Sequence, residues 1–155
     1  MKRNKGEYDG MPGHLARRFQ QIAVAVFQAE MEATGCDLTP VQFAALAAVT
    51  AFPGIDQVSL AGEIAYDRST IMGVVDRLET KGLITRRVSP KDRRARELVI
   101  TKEGLALLEQ VRPGVRRAQV TMMCGLDRDE ANELLRLLAK AVEAANDLSR
   151  APKNS

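Results

Sequence analysis

"DRSTIMGVVDRLETKGLITRRVSPKDRRARELVIT", residues 67–101, is the stretch from which this chain is read. It opens as a helix. Ile71, Val74, Val75 and Leu78 recur at helical spacing behind Asp67, a suitable N-cap, and Gly82 is a natural stop. After Gly82 the period changes: "LITRRVS" and "ARELVIT" read as two short strands, with "PKDRR" between them as a hairpin tip. That hairpin is strongly basic. Residues 86–96 carry six bases (Arg86, Arg87, Lys91, Arg93, Arg94 and Arg96) against one acid, Asp92.

The charge is local. Over 155 residues the net charge is only +3, and the segments 1–38 and 101–155 are close to balanced. A basic cluster on an otherwise neutral chain marks a polyanion-binding edge, whereas a uniform excess speaks mainly to solubility. Immediately upstream, "SLAGEIAYD" reads as a short helix capped by Ser59, with Leu60 and Ile64 facing inward. Paired across a tight turn, residues 59–66 and 68–81 form a helix-turn-helix, and the basic hairpin that follows is a wing.

In such a pair the second helix spends its apolar stripe on the core. Its free face offers Arg68, Ser69, Thr70, Met72 and Gly73 to a major groove, with Arg77 within reach of a phosphate. Lys91, Arg93, Arg94 and Arg96 lie on the wing, placed to follow the backbone or enter a narrow minor groove. Asp92 is expected to orient Arg94 or a neighbouring arginine through a charge-assisted bond.

Further out the chain is helical. Residues from Pro12 to about Ala33 carry Leu15, Phe19, Ile22, Val26 and Phe27 at helical spacing. "TPVQFAALAAV" opens with Thr39 and Gln42 as a capping box and Pro40 at the first helical position. Thr101 caps a long helix in which Pro113-Gly114 predicts a kink. Asp127 and Glu130 form a second capping box before the stripe Ala131, Leu134, Leu135, Leu138, Val142 and Ala145. The tail "SRAPKNS" is expected to fray. The fold class is therefore mainly α with one β-hairpin wing.

Other classes find little support. No stretch approaches the ~20 apolar residues of a membrane span, and the polar start "MKRNKGEYDGMPGH" lacks a signal-peptide core, so a cytoplasmic protein is expected. His14, Cys36 and Cys124 lack zinc-site spacing, and no Gly-rich phosphate loop or nucleophile–base pair is visible. No metal, cofactor or catalytic residue is expected. A protein-binding adaptor built on the same fold stays open, because folds do not dictate function.

The quoted stretch, extended to Gly104, resembles the recognition helix and wing of the MarR family of winged helix-turn-helix regulators. The resemblance is carried by Asp76-Arg77-Leu78-Glu79, Gly82-Leu83-Ile84, Asp92-Arg93-Arg94 and Ile100-Thr101-Lys102-Glu103-Gly104, and by the helix order over about 12–149. Met72-Gly73 departs from it, since members often carry a larger polar or basic residue there. The resemblance implies one chain (1–155) with a DNA-binding lobe at 39–100 and dimerisation helices at 11–36 and 102–149 that intertwine in a homodimer. It implies repression at a pseudo-palindromic operator and release by a small effector bound between helices and lobe. For that effector an aromatic carboxylate or its conjugate is expected, with His14, Arg17 and Arg18 as an anion-binding edge and Phe43 and Leu46 as an apolar wall. A thiol-based redox switch through Cys36 or Cys124 is the competing form of control.

Overall fold

The computed structural model describes residues 6–153. After a 3-10 turn at Glu7–Gly10, the elements are α1 (Pro12–Ala33), α2 (Pro40–Ala51), α3 (Gln57–Glu63), α4 (Arg68–Thr80), β1 (Ile84–Val88), β2 (Arg96–Ile100), α5 (Lys102–Thr121) and α6 (Arg128–Ala144), followed by a 3-10 turn at Asn146–Leu148.

Local signals set most boundaries. Thr39 Oγ1 accepts from the Gln42 amide at 3.3 Å while Gln42 Oε1 accepts from the Thr39 amide at 3.2 Å, so α2 begins where the capping box places it. Asp67 caps α4, and Asp127 with Glu130 caps α6. α3 corrects the expected boundary. Its cap is Asp56 rather than Ser59: one carboxylate oxygen takes the amides of both Val58 and Ser59 at 2.9 Å, and the Ser59 hydroxyl donates to the other at 2.7 Å. A carboxylate that satisfies two orphan amides outcompetes a hydroxyl that satisfies one.

α5 runs from Lys102 to Thr121 as one helix with Pro113 inside it, so the proline does not end the element. The proline is exposed and has no N–H to give, while its neighbours Val111, Gly114 and Ala118 are buried. The adjacent Gly114 is buried, and a Cβ there would stand 3.3 Å from Glu30 Oε2 on α1. The Arg117–Glu30 ion pair, at 2.7 Å, ties the same two helices.

One core joins the lobe. Leu46, Leu60, Ile71, Val75, Leu78, Ile84, Leu98, Leu108 and Val111 are almost wholly buried and contiguous, with Phe27 and Met31 closing it from α1. The antiparallel hairpin pairs Ile84 with Ile100 and Val88 with Arg96. Two strands alone are marginal, and here Ile84 and Leu98 anchor them in the core, each worth roughly 1.5–3 kcal/mol of burial. The Leu98 amide also donates to the Ile55 carbonyl at 2.9 Å, pinning β2 to the start of α3.

The root of the wing is tight. Thr101 Oγ1 donates to the Gly82 carbonyl at 2.7 Å and accepts from the Gly104 amide at 3.0 Å, while the Thr101 amide donates to the Leu83 carbonyl at 3.0 Å. Gly104 has no alternative here, because a Cβ would stand 2.1 Å from the Leu83 oxygen.

α6 behaves differently. Among its residues none is buried, and Leu135 and Val142 are 57% and 61% exposed. Leu134 and Leu138 share with Pro12, Leu15, Ala16, Phe19 and Ile22 of α1 a mainly apolar groove of about 450 Å³. The tail, expected to fray, is mostly exposed over residues 149–153 and is held at one point. The Asn146 side chain donates to the Lys153 carbonyl at 3.0 Å and accepts its amide at 2.8 Å, folding the segment back on itself. Residues 1–5 of the polar start, and 154–155 of the tail, lie outside the described residues.

Candidate nucleic-acid interface

The interface is built on α4. Ile71, Val74, Val75 and Leu78 are buried, so at 3.6 residues per turn the opposite face centres on Ser69, Gly73 and Asp76, flanked by Met72 and Arg77. Arg68, Ser69, Thr70, Met72 and Arg77 are exposed. No heavy atom lies within 4 Å of a Cβ built on Gly73, which leaves an open, flat place on that face. Asp76 is an acid that sequence reading left out of the site.

Ser69 and Thr70 are held by their own cap. Their hydroxyls donate to the two oxygens of Asp67, each at 2.6 Å, and the Thr70 amide adds a bond at 2.8 Å. The Ser69 hydroxyl first, then those from Thr70, hold the Asp67 carboxyl far below the usual carboxylate range. With their protons engaged, both hydroxyls have lone pairs left to accept with and, as placed, no proton free to donate.

The hairpin tip is a set of short bonds. The Ser89 amide donates to the Ala95 carbonyl and the Ala95 amide to the Asp92 carbonyl, both at 3.0 Å. Asp92 Oδ1 accepts the Arg94 main-chain amide at 2.9 Å, and among the described residues Asp92 is in no ion pair. The expected charge-assisted bond from Asp92 thus falls on Arg94, through its main-chain amide rather than its guanidinium, and the acid shapes the turn through the backbone. Lys91, Arg93, Arg94 and Arg96 are exposed, and among the described residues none of them is in a salt bridge.

The basic count of the segment is smaller than it reads. Arg87 pairs with Glu97 at 3.0 Å, and Glu97 also accepts from the Ser89 hydroxyl at 2.9 Å. That hydroxyl, followed by Arg87, holds the Glu97 carboxyl below its ordinary value. Arg86 is bound to Asp76 and Glu79 of α4. Positive charge outside these ion pairs thus gathers at Lys91, Arg93 and Arg94 of the tip and at Arg96, the first residue of β2, while Arg86 and Arg87 are paired. Glu97 and the Arg86 partners escape a reading of the sequence because their bonds connect residues that no short motif links.

The residues expected for an effector do not converge within one chain. His14 stacks edge-on against Tyr8, ring centroids 5.0 Å apart, with Asp9 at 4.0 Å. Arg17 donates to Gln21 at 3.1 Å, and Arg18 lines the α1–α6 groove. Phe43 is half-buried against Phe27, centroids 6.2 Å apart, and Leu46 is 0% exposed in the core, offering a ligand no surface. From His14 to Phe27, α1 rises roughly 20 Å. A pocket that uses both ends needs a second chain. Cys36 is half-buried beside the core, and Cys124 is exposed in the turn after α5. No helix among the described residues is long and apolar enough to cross a membrane.

A helix-turn-helix whose second helix turns an uncovered polar face outward, with a rigid cationic hairpin rooted beside it, defines a winged helix-turn-helix protein. A profile of the MarR family matches residues 37–95. The chain is 34% identical over 134 residues to the HTH-type transcriptional repressor NicR of Pseudomonas putida, covering 85% of this chain and 82% of that one. The structure of BpsR from Bordetella bronchiseptica, described for the regulation of its DNA binding by 6-hydroxynicotinic acid, superposes with a TM-score of 0.82 at 30% identity, covering 88% of this chain and 96% of that one. CouR, a transcriptional repressor solved on a 23-mer DNA duplex, superposes with a TM-score of 0.81 at 31% identity over the same shares. A CouR from Rhodococcus jostii has also been solved with p-coumaroyl-CoA. The chain belongs to the MarR family of transcription regulators.

Proposed function

We propose that this protein binds duplex DNA as a homodimer and represses transcription until a small aromatic acid, or a conjugate of one, releases it. It acts by binding rather than by catalysis, in the cytoplasm. The observation that carries the DNA reading is the exposed quartet Lys91, Arg93, Arg94 and Arg96, in no salt bridge among the described residues, on a hydrogen-bonded hairpin end beside the outward face of α4. Arg68, Ser69, Thr70, Met72, Gly73 and Arg77 meet the major groove, while the tip, shaped by Asp92, meets the backbone and the adjacent minor groove.

The exposed stripe of α6 and the groove it shares with α1 support the dimer, since so much apolar surface is costly for a free monomer. Two-fold symmetry then places recognition helices one helical turn apart, about 10 bp, on a pseudo-palindrome. The effector reading draws on the relatives. BpsR answers to 6-hydroxynicotinic acid and a CouR holds p-coumaroyl-CoA, both aromatic acids or their conjugates. His14, Arg17 and Arg18 of one chain supply the anion edge near Phe43 of the other. Ligand there favours a spacing of the recognition helices that no longer fits successive grooves.

The test is fluorescence anisotropy with the duplex upstream of its own gene against a scrambled duplex, followed by titration with aromatic carboxylates. Preferential binding, reversed by one of the acids, is expected. Equal affinity for both duplexes refutes sequence-specific recognition. Binding that no aromatic acid reverses refutes the effector class.

A further inference from the structure

We infer that Arg86 is the positioning residue that locks the wing to the recognition helix, an inference that rests on the DNA-binding reading above. Arg86 lies in the middle of β1, paired across the hairpin with Leu98. Its side chain is only 26% exposed, and the guanidinium reaches three groups on two helices. One terminal nitrogen bonds Asp76 Oδ1 at 2.5 Å and Gln57 Oε1 at 3.4 Å, and the other bonds Glu79. The Arg86 main-chain amide also donates to Glu79 Oε1 at 3.2 Å, so Glu79 grips the strand by both backbone and side chain.

This constellation does two things. Geometrically, it joins β1, α3 and α4 through a planar fork, which holds the hairpin in one orientation where a flexible ammonium would not. The free cations of the tip lie five to ten residues further along the chain, so a rotation at β1 is magnified at the minor groove. Electrostatically, it answers a problem that the α4 face poses. Asp76 lies at the centre of the outward face, where an unpaired carboxylate would repel phosphate, and Arg86, shared with Glu79, offsets part of that charge while leaving Asp76 59% exposed. The Asp76–Glu79 spacing of three residues puts both carboxylates on the side of α4 that β1 approaches, which gives the D-R-L-E motif a physical reason.

The experiment is a double-mutant cycle on the full-length protein, bound to a duplex that the wild type recognises. Affinity and its salt dependence are measured for wild type, Arg86→Lys, Arg94→Ala and the double variant. Lysine keeps the charge and loses the fork. Arg86→Lys is expected to weaken binding roughly tenfold and to lower the slope of log K against log salt by ~0.9 for each phosphate that the wing no longer reaches. Arg94→Ala is expected to cost much less in the Arg86→Lys background than in wild type, because the tip no longer meets the duplex. A purely structural role predicts a lower melting temperature with the Arg94 factor unchanged, and a purely electrostatic role predicts that Arg86→Lys binds as wild type; either result overturns the inference. Should Arg86→Lys fail to fold, Glu79→Gln replaces it in the same cycle, since the amide can still accept the Arg86 N–H while the ion pair is broken. A wild type that binds no duplex refutes the DNA reading itself, and so is told apart from failure of the Arg86 cycle.

Discussion

Gly104→Ala tests the root of the wing. The added methyl would stand 2.1 Å from the Leu83 oxygen and 2.9 Å from Ile100 Cγ1, where carbon and oxygen ordinarily stay above ~3.3 Å. Relief requires moving the Leu83 carbonyl by more than ~1 Å, since a main-chain oxygen cannot rotate away as a long side chain does. Overpacking of this kind costs about 1–3 kcal/mol. The same carbonyl accepts the Thr101 amide at 3.0 Å, and disturbing that bond adds about 1 kcal/mol. Against this stands a gain of about 0.5–1 kcal/mol from replacing glycine inside a helix. The net loss is about 1–3.5 kcal/mol, or about 2–14 °C in Tm for a chain of this size. Gly73→Ala is the internal control. It lies in α4 with no atom near its Cβ, so it keeps the propensity gain without the clash. Thermal unfolding followed by circular dichroism at one fixed protein concentration reads both, because a dimer's Tm depends on concentration. A Gly104→Ala variant as stable as wild type, or stabilised alongside Gly73→Ala, refutes the close-approach argument.

Other expectations follow from the same geometry. Ala65, in the turn between α3 and α4, has a φ of 54°, so Ala65→Gly relieves left-handed strain and is expected to raise stability by about 0.5–1 kcal/mol; a drop in Tm refutes this. The Asp67 carboxyl is held below its unfolded value of ~3.9, so its capping of α4 is intact above about pH 4 and is lost as pH falls through the folded value. Amide exchange of α4 is expected to lose protection on that acid limb in wild type and not in Asp67→Asn; identical limbs refute it. Arg94→Ala is expected to lower the salt slope of DNA binding by ~1.8 per dimer, one phosphate from each wing, while Ser69→Ala changes base preference with the slope unchanged. A salt slope that Arg94→Ala leaves unaltered refutes the phosphate contact. Leu135→Glu with Val142→Glu places charge on the exposed α6 stripe and is expected to give a monomer in sedimentation; a dimer refutes that interface.

The sequence by itself determined the order of elements and most of their ends. Caps, glycine stops and the change of period at Gly82 act over three or four residues, so Thr39–Gln42, Asp67, Thr101 and Asp127–Glu130 are legible one turn at a time. It also marked the outward residues of α4, because a helical stripe names its own opposite face. Which charges are free was decided only by the tertiary structure. Arg86 and Arg94 look alike in the string, yet one meets Asp76 and Glu79 across the α4–β1 contact and the other meets solvent. The same holds for Leu46, drawn into the core, and for His14, left some 20 Å of helix away from Phe27. Ion pairing and burial depend on distances through space between elements remote in sequence, and no local pattern contains those distances.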